Sequence, residues 1–153
     1  MRIARDGTWH YRGSPIERKP LVTLFSSVLT RDDDGQFWLE TPVERGRIDV
    51  DDAPFVAVEV DVEGEGPGQR LIFRTNLDET VTAGPDHPIR VSFDESTGEP
   101  SPYVLVRDRL EALLARPVYY ALAELAVEDP GSGALGVWSG GRFFALAQTD
   151  EES

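Results

Sequence analysis

The sequence predicts an α+β protein built from two similar lobes, and three observations lead to this fold class. Two segments, residues 20–29 and 117–127, begin with proline and carry apolar residues at helical spacing. Each segment lies between pairs of strand-like segments joined by tight turns. The intervening region, residues 56–93, is rich in β-branched residues and predicts further antiparallel strands. We therefore expect a duplicated ββαββ unit whose second copy carries the extra strands.

Both predicted helices have one apolar stripe. In the first, the stripe follows a spacing of three and four residues through Leu21, Leu24, Phe25, Val28 and Leu29. In the second, it comprises Val118, Ala121, Leu122, Leu125 and Ala126. Since such a stripe packs against a core, we expect four of these side chains to be buried, namely Leu24, Phe25, Leu122 and Leu125.

Strands account for much of the remaining chain. The clearest has valine at every second position, which predicts a single apolar face formed by Val56, Val58, Val60 and Val62. The other predicted strands cover residues 9–11, 14–18, 37–39, 47–50, 71–74, 89–93, 103–106, 110–114, 135–138 and 142–146. Residues 76–88 show no strong periodicity and predict a loop. These assignments give a first lobe at residues 1–52, a second at 53–148 and a disordered tail at 149–153.

Composition excludes several classes of function. The chain of 153 residues has 15 basic and 28 acidic side chains and a formal net charge of −13. This balance argues against binding to DNA or RNA polymers and against a polybasic membrane surface. No cysteine is present, which excludes disulfides and thiolate chemistry. No apolar run approaches the ~20 residues of a membrane span. The segment before the first strand is short and polar, unlike a signal peptide. We expect a cytoplasmic protein whose oligomeric state the sequence leaves open.

Arginines at strand ends and turns are the first candidates for binding a ligand. Arg45, Arg47 and Arg74 offer planar donor forks that suit phosphate or carboxylate. Polar side chains lie close to them in sequence, namely Thr41, Thr75 and Asn76. The alternative is that these arginines form surface ion pairs with neighbouring acids, such as Glu44, Asp49, Glu59 and Asp61.

Other candidate side chains also have a structural alternative. His87 lies between Asp86 and Pro88, where it can act as an acid or base or simply form part of a turn. Tyr119 and Tyr120 are candidates for stacking on a base, although one can be a core residue while the other faces the opposite lobe. The run at residues 32–35 lacks the alternating acids of a calcium loop and indicates a helix end. No motif predicts a metal or cofactor, so we expect neither.

Several strings closely resemble the uncharacterised bacterial domain-of-unknown-function family DUF1285. They are ETPVERGRIDVDDAPFVAVEV, FRTNLDETVTAGPDHPIRV, PYVLVRDRLEALLARPVYYALAELAV and LGVWSGGRFFAL. The resemblance implies a duplicated α+β core whose second half is similar in outline to a pleckstrin-homology fold. It also implies a nucleotide-like ligand at the interface between the halves and a role in signalling. It implies no catalytic residues.

The most consistent function from the sequence is a small-molecule binding module with an anionic, nucleotide-like ligand between the lobes. The expected ligand contacts are Thr41, Glu44, Arg45, Arg47, Arg74, Thr75, Asn76, His87 and Tyr119. Two other classes stay open. One is a hydrolase or transferase that uses His87 with a nearby carboxylate, and the other is a protein-interaction scaffold. The lack of a nucleophile–base motif favours binding over catalysis.

Overall fold

The computed structural model describes residues 1–147, which form an α+β protein with two short α-helices, one 3-10 turn (Gly66–Gly68) and three β-sheets in that range. The first lobe consists of β1 (Arg2–Ile3), β2 (Trp9–Tyr11), β3 (Ser14–Pro15), α1 (Lys19–Ser26), β4 (Leu29–Arg31), β5 (Phe37–Glu40) and β6 (Arg45–Val50). The second begins with β7 (Phe55–Glu63), β8 (Arg70–Thr75), β9 (Thr80–Thr82) and β10 (Ile89–Phe93). It continues with β11 (Pro100–Arg107), β12 (Leu110–Leu114), α2 (Arg116–Glu124), β13 (Val127–Glu128), β14 (Leu135–Ser139) and β15 (Arg142–Ala145).

The order of the strands confirms the expected duplication. The first lobe forms one six-stranded sheet in the order β3-β2-β1-β6-β5-β4. The second lobe has a six-stranded sheet in the order β10-β11-β12-β7-β8-β9 and a three-stranded sheet of β13-β14-β15. In each lobe a hairpin (β2–β3 or β11–β12) leads into the helix, and three consecutive strands follow. The extra strands β7–β10 belong to the second lobe, as the sequence predicts.

A single hydrophobic core joins the two lobes. Ile3 and Trp9 of the first lobe belong to the same buried cluster as Phe55, Leu110 and Leu122 of the second. Each of these five side chains is at most 1% exposed. Because the apolar contacts are continuous, the joint between the lobes is a packed interface rather than a flexible linker.

Both helices are shorter than the sequence predicts. The first ends at Ser26 rather than at residue 29, because Leu29 enters β4 and pairs with Leu39. The hydroxyl of Ser26 donates to the carbonyl of Thr23 at 2.8 Å, a local bond that competes with helix propagation. The second helix ends at Glu124 rather than at residue 127, and Val127 begins β13.

The apolar stripe of α1 was also assigned to the wrong face. Leu24 is 62% exposed, whereas Val22 and Ser26 are the buried positions. In α2 the expected burial of Leu122 is confirmed. Phe25 and Leu125 are only partly buried and lie at the edge of the core. Eight residues make about two helical turns, so apolar residues on both sides of α1 fit a stripe equally well.

Two strand predictions also need correction. The valines of β7 do not form one apolar face, because a bulge between Ala57 and Glu59 resets the alternation and leaves Val58 and Val62 exposed. The predicted loop at residues 76–88 contains the strand β9, which pairs with β8. The predicted tail at residues 149–153 lies outside the described part of the chain.

Candidate functional site

Two clefts lie where the lobes meet. The larger has a volume of about 740 Å³ and is formed by the β1–β2 turn of the first lobe and by β7, β11, β12 and the start of α2. Its lining comprises Arg5, Asp6, Val56, Glu99, Pro100, Pro102, Leu113, Leu114, Ala115, Arg116, Tyr119 and Tyr120. The smaller, of about 430 Å³, is lined by Arg31, Asp32, Asp33, Gly35, Arg90, Leu105, Arg109 and Glu111.

The larger cleft has an apolar and aromatic part. Val56 and Leu113 occupy paired positions on the neighbouring parallel strands β7 and β12, so their side chains share one face of the sheet. Tyr119 donates a hydrogen bond to the carbonyl of Leu146 at 3.1 Å, which fixes the direction of its ring. Burial raises the pKa of the Tyr119 phenol. Tyr120 is 56% exposed and leaves a large aromatic surface open to a ligand.

Charged groups of both signs line the same cleft. The guanidinium of Arg5 lies 3.5 Å from the carboxylate of Asp52, which is a long contact, and the Arg5 side chain is mostly exposed. Arg116 has no carboxylate within 4.0 Å in the described residues. Asp6 accepts the N–H of Thr8 at 2.9 Å, and this hydrogen bond lowers the pKa of its carboxyl group. An anion at this cleft therefore meets two guanidinium groups that lack strong partners, with fixed acids beside them.

Asn76 anchors the turn that carries Arg5 and Asp6. Its Oδ1 accepts the N–H of Val56 at 3.0 Å, and its Nδ2 lies 3.4 Å from the carbonyl of Gly7, where it donates. Gly7 has a φ of +90°, and a Cβ at that position would lie 2.7 Å from Asn76 Nδ2. The sequence predicts Asn76 as a ligand contact, and the structure gives it a joining role between lobes.

The neighbouring predicted residues Arg74 and Thr75 also have partners within the protein. Arg74 bonds Glu59 at 3.0 Å and Asp78 at 2.9 Å, and these carboxylates, Glu59 first, raise the pKa of the guanidinium. Thr75 is fully buried, and its Oγ1 accepts the N–H groups of Leu77 and Glu79. Both residues shape the β8–β9 turn, and neither lines the two clefts.

The predicted residues at 41–47 lie together on the β5–β6 hairpin of the first lobe. Thr41 Oγ1 accepts the N–H of Glu44 at 3.1 Å and so closes the hairpin loop. The guanidinium of Arg45 stacks on the ring of Trp38, 3.7 Å from its centroid, and its Nε donates to Glu40 at 2.7 Å. Arg47 bonds Gln36 and Asp49, at 3.2 Å and 3.3 Å. Ion pairs of this surface kind are the alternative that the sequence left open.

His87 has a backbone partner instead of a carboxylate. Its Nδ1 lies 3.0 Å from the carbonyl of Leu105, which accepts the hydrogen bond when that nitrogen carries the proton. The backbone of His87 also pairs with Gly84 in both directions at 3.1 Å. Within residues 1–147 no carboxylate lies within 4.0 Å of its ring. This environment holds the 84–87 turn in place.

Of the nine residues predicted to contact a ligand, Tyr119 lines the larger cleft and the other eight line neither cleft. Their involvement in binding stays a prediction. Sequence reasoning missed Arg5 and Arg116. A signal for Arg116 was present, since it lies next to Pro117 at the predicted junction between a strand and the second helix. The sequence around Arg5 contains no local signal for a site. Its turn is positioned by the hydrogen bond between Gly7 and Asn76, which lie 69 residues apart.

Two further features are absent from the described range. None of its helices is long and apolar enough to cross a membrane. The same residues contain no cluster of three or more His, Asp or Glu side chains placed to hold a metal ion.

Comparison with known proteins identifies the family. Residues 1–53 match the model described as the DUF1285 N-terminal domain of unknown function, and residues 54–146 match its C-terminal domain. The chain belongs to the DUF1285 family. The family expected from the sequence strings is thus confirmed, and no curated protein matches the chain.

Two solved structures are similar to this DUF1285 protein. A family member from Silicibacter pomeroyi DSS-3 shares 51% sequence identity, with a TM-score of 0.91 over 99% of this chain and 81% of that one. A second, from Shewanella baltica OS155, shares 28% identity, with a TM-score of 0.60 over 80% of this chain and 89% of that one. Both are described only by their family, so they support the fold and give no information about function.

Proposed function

We propose that this DUF1285 protein is a small-molecule binding module whose ligand is anionic, carries a ring and is nucleotide-like. The ligand lies in the larger cleft between the lobes. The observation that carries the proposal is the meeting of Arg5 from the first lobe with Arg116, Tyr119 and Tyr120 from the second on one cavity.

The size and lining of the cleft suit this class of ligand. Its volume of about 740 Å³ falls within the roughly 300–1,000 Å³ typical of small-molecule sites. Val56 and Leu113 provide an apolar floor, and few convergent polar groups surround it. An apolar floor with charges at the rim favours a ligand that has a ring at one end and an anion at the other.

The arginines can bind an anion at low cost to the protein. Within residues 1–147 Arg116 has no acid partner to give up, and the contact of Arg5 with Asp52, at 3.5 Å, is long for a charge-assisted hydrogen bond. Arginine binds phosphate or carboxylate through two parallel N–H donors, which fixes orientation as well as charge. Asp6 and Glu99 limit how much negative charge the cleft accepts.

The tyrosines suit the ring of the ligand. Tyr120 exposes more than half of its surface, and a planar base stacked on it covers that surface. Stacking of a base on an aromatic side chain contributes about 1–3 kcal/mol. Tyr119 is held by its bond to Leu146, so little side-chain entropy is lost when it contacts a ligand.

The position between lobes suits a role in signalling. A ligand that bonds both Arg5 and Arg116 contacts both lobes at once and holds the two exposed guanidinium side chains in one orientation. Binding then changes the charge and shape of the surface at this cleft, and a partner protein can sense that change.

The test is a panel of nucleoside monophosphates, triphosphates and cyclic nucleotides, measured by thermal shift and by calorimetric titration. A ligand of this site raises the melting temperature of the wild-type protein. Arg116→Ala should weaken its binding about tenfold or more, because a hydrogen bond to a charged group contributes roughly 1.5–3 kcal/mol. The unliganded variant should melt near the wild-type temperature, since Arg116 is exposed and lacks an acid partner.

Arg142→Ala is the matched control. Arg142 is also exposed and also has no acid within 4.0 Å in the described chain, but it lies on the β14–β15 hairpin outside the cleft. Equal weakening by both variants, or a panel without a single binder, would refute the proposal. Recovery of the nucleotide unchanged after incubation separates a binding module from the hydrolase alternative.

A further inference from the structure

The smaller cleft brings together three arginines from three different elements. Arg31 ends β4 of the first lobe, Arg90 lies in β10 of the second, and Arg109 lies in the β11–β12 turn. These three arginines do not contribute to the larger cleft, so the two clefts are separate candidate sites.

Arg109 occupies a backbone conformation that glycine adopts more easily. The β11–β12 turn has φ values of 46° at Asp108 and 71° at Arg109. The two-residue turns of β2–β3 and β14–β15 also have two positive φ values, and there the second position is Gly13 or Gly141. A non-glycine residue in the left-handed region costs free energy, and aspartate tolerates it better than arginine. A non-glycine residue in a strained backbone conformation suggests that its side chain has a function.

The guanidinium groups of Arg31 and Arg90 are oriented but not saturated. Arg31 donates one N–H to the carbonyl of Arg109 at 3.3 Å and has no acid partner within 4.0 Å among residues 1–147. Arg90 uses Nε and Nη2 to bond Glu111, at 3.0 Å and 2.8 Å. Its guanidinium also lies 4.5 Å from the centroid of the Tyr103 ring. Each arginine is thus held in place with donors to spare.

Of the three acids in this cleft, Asp32 and Glu111 are each held by two or more hydrogen bonds, whereas Asp33 is held more weakly. Asp32 accepts the indole N–H of Trp38 and two backbone N–H groups, and the Trp38 bond is the first cause of its lowered pKa. Glu111 is occupied by Arg90. Asp33 pairs only with Arg109, at 2.6 Å, and its side chain is 89% exposed. An exposed pair of this kind exchanges easily for a stronger acceptor.

We infer that this cleft is a binding site for a dianionic oxyanion, namely phosphate, either free or as the end group of a phosphomonoester. The oxyanion displaces Asp33 from Arg109 and accepts hydrogen bonds from Arg31, Arg90 and Arg109. Since Arg31 belongs to one lobe and the other two to the second, the bound oxyanion fastens the lobes together.

The turn itself provides a matched pair of variants. Asp108→Gly keeps every arginine and relieves a small strain at the cost of a more flexible unfolded chain, so the variant should melt near or above the wild type and bind phosphate as the wild type does. Arg109→Gly relieves strain in the same turn but removes one guanidinium. It should also melt near or above the wild type in chloride buffer, yet its phosphate affinity should fall about tenfold or more.

The measurements are calorimetric titrations and melting temperatures with inorganic phosphate and with phenyl phosphate, each against chloride at equal ionic strength. Asp33→Asn, which removes the competing acid, should bind phosphate about twofold to fivefold more tightly. Tighter binding of phenyl phosphate than of phosphate assigns the site to a monoester, and the reverse assigns it to the free ion. The inference is overturned if neither binds more strongly than chloride or if Arg109→Gly binds phosphate as well as Asp108→Gly. It is also overturned if Arg109→Gly melts below the wild type in chloride, because Arg109 is then a structural clamp.

Discussion

Tyr103 and Asp52 are joined across the lobes by a hydrogen bond of 2.6 Å, in which the phenol donates to Oδ1 of the carboxylate. The second oxygen of Asp52 lies 3.5 Å from Arg5, and the guanidinium of Arg90 covers the Tyr103 ring. Arg5 lines the larger cleft and Arg90 the smaller one. The pair therefore lies in a continuous set of polar contacts that runs between the two candidate sites.

Loss of the phenol should weaken the joint between the lobes. Tyr103→Phe removes one hydrogen bond to a partly buried carboxylate, and we expect a loss of about 1–2 kcal/mol in the free energy of unfolding. Tyr11→Phe is the control, since Tyr11 is 49% exposed and its hydroxyl has no hydrogen bond within residues 1–147; it should change stability by less than about 0.5 kcal/mol. Urea denaturation of both variants gives the comparison, and equal effects would contradict a role of Tyr103 in the joint.

The same pair predicts a dependence on alkaline pH. Burial first, and then the bond to Asp52, raises the pKa of Tyr103 from 10.0 to about 12. A group whose pKa is raised in the folded state stabilises the fold below its unfolded pKa. This contribution is therefore complete below about pH 10 and is lost as the pH rises towards about 12. Tyrosinate absorbance should show a group with a pKa of about 12 that is missing in Tyr103→Phe, while the raised pKa of Tyr119 should persist in that variant. A Tyr103→Phe variant with the same loss of stability above pH 10 as the wild type would refute the assignment.

The fold was predictable because its signals are local. Pro20 and Pro117 lie in the first turns of the two α-helices, and short turns separate the paired strands of both copies. The precise ends were not predictable, since Leu29 leaves the helical pattern only because Leu39 offers it a strand partner. The buried face of α1, with Val22 and Ser26, was missed for the same reason: tertiary packing, and not the stripe, decides which side of a two-turn helix is buried.

The site was less predictable, because long-range contacts decide which polar residues are free. Arg74 and Asn76 look like ligand contacts in sequence, but Glu59 and Gly7 bond them in the fold. Arg116 shows the opposite case, since only the fold reveals that it lines a cleft and has no carboxylate within 4.0 Å among residues 1–147. Net charge and residue type identify arginines as anion binders in general, while the pairing of each one depends on residues distant in sequence.

Leu24 and Leu122 should respond differently to truncation. Both lie on the predicted apolar stripes, but Leu24 is 62% exposed and Leu122 is fully buried. Leu122→Ala leaves a cavity and should lower the free energy of unfolding by about 2–5 kcal/mol. Leu24→Ala should change it by less than about 0.5 kcal/mol, as is usual on a surface. Thermal and urea denaturation report both values, and a large loss for Leu24→Ala would mean that another surface covers α1.

The β14–β15 hairpin attaches the three-stranded sheet of the second lobe to the six-stranded sheet of the same lobe. Gly140 and Gly141 form its turn, with φ values of 61° and 82°. A Cβ on Gly140 would lie 2.8 Å from the carbonyl oxygen of Ala83, whereas a Cβ on Gly141 would meet nothing within 4 Å. The hairpin is held against the large sheet at this point by Ser139, whose hydroxyl donates to the carbonyl of Ala83 at 2.8 Å and accepts the N–H of Leu71.

Gly141→Ala should therefore cost only the left-handed conformation, about 1–2 kcal/mol. Gly140→Ala should cost that amount and, in addition, roughly 1–3 kcal/mol of overpacking, because backbone atoms and not a flexible side chain oppose the new methyl group. The difference between the two variants, measured by urea denaturation, isolates the close approach from the turn conformation that they share. Equal losses would show that the hairpin moves away from Ala83 without resistance, and Ser139→Ala should then also have little effect.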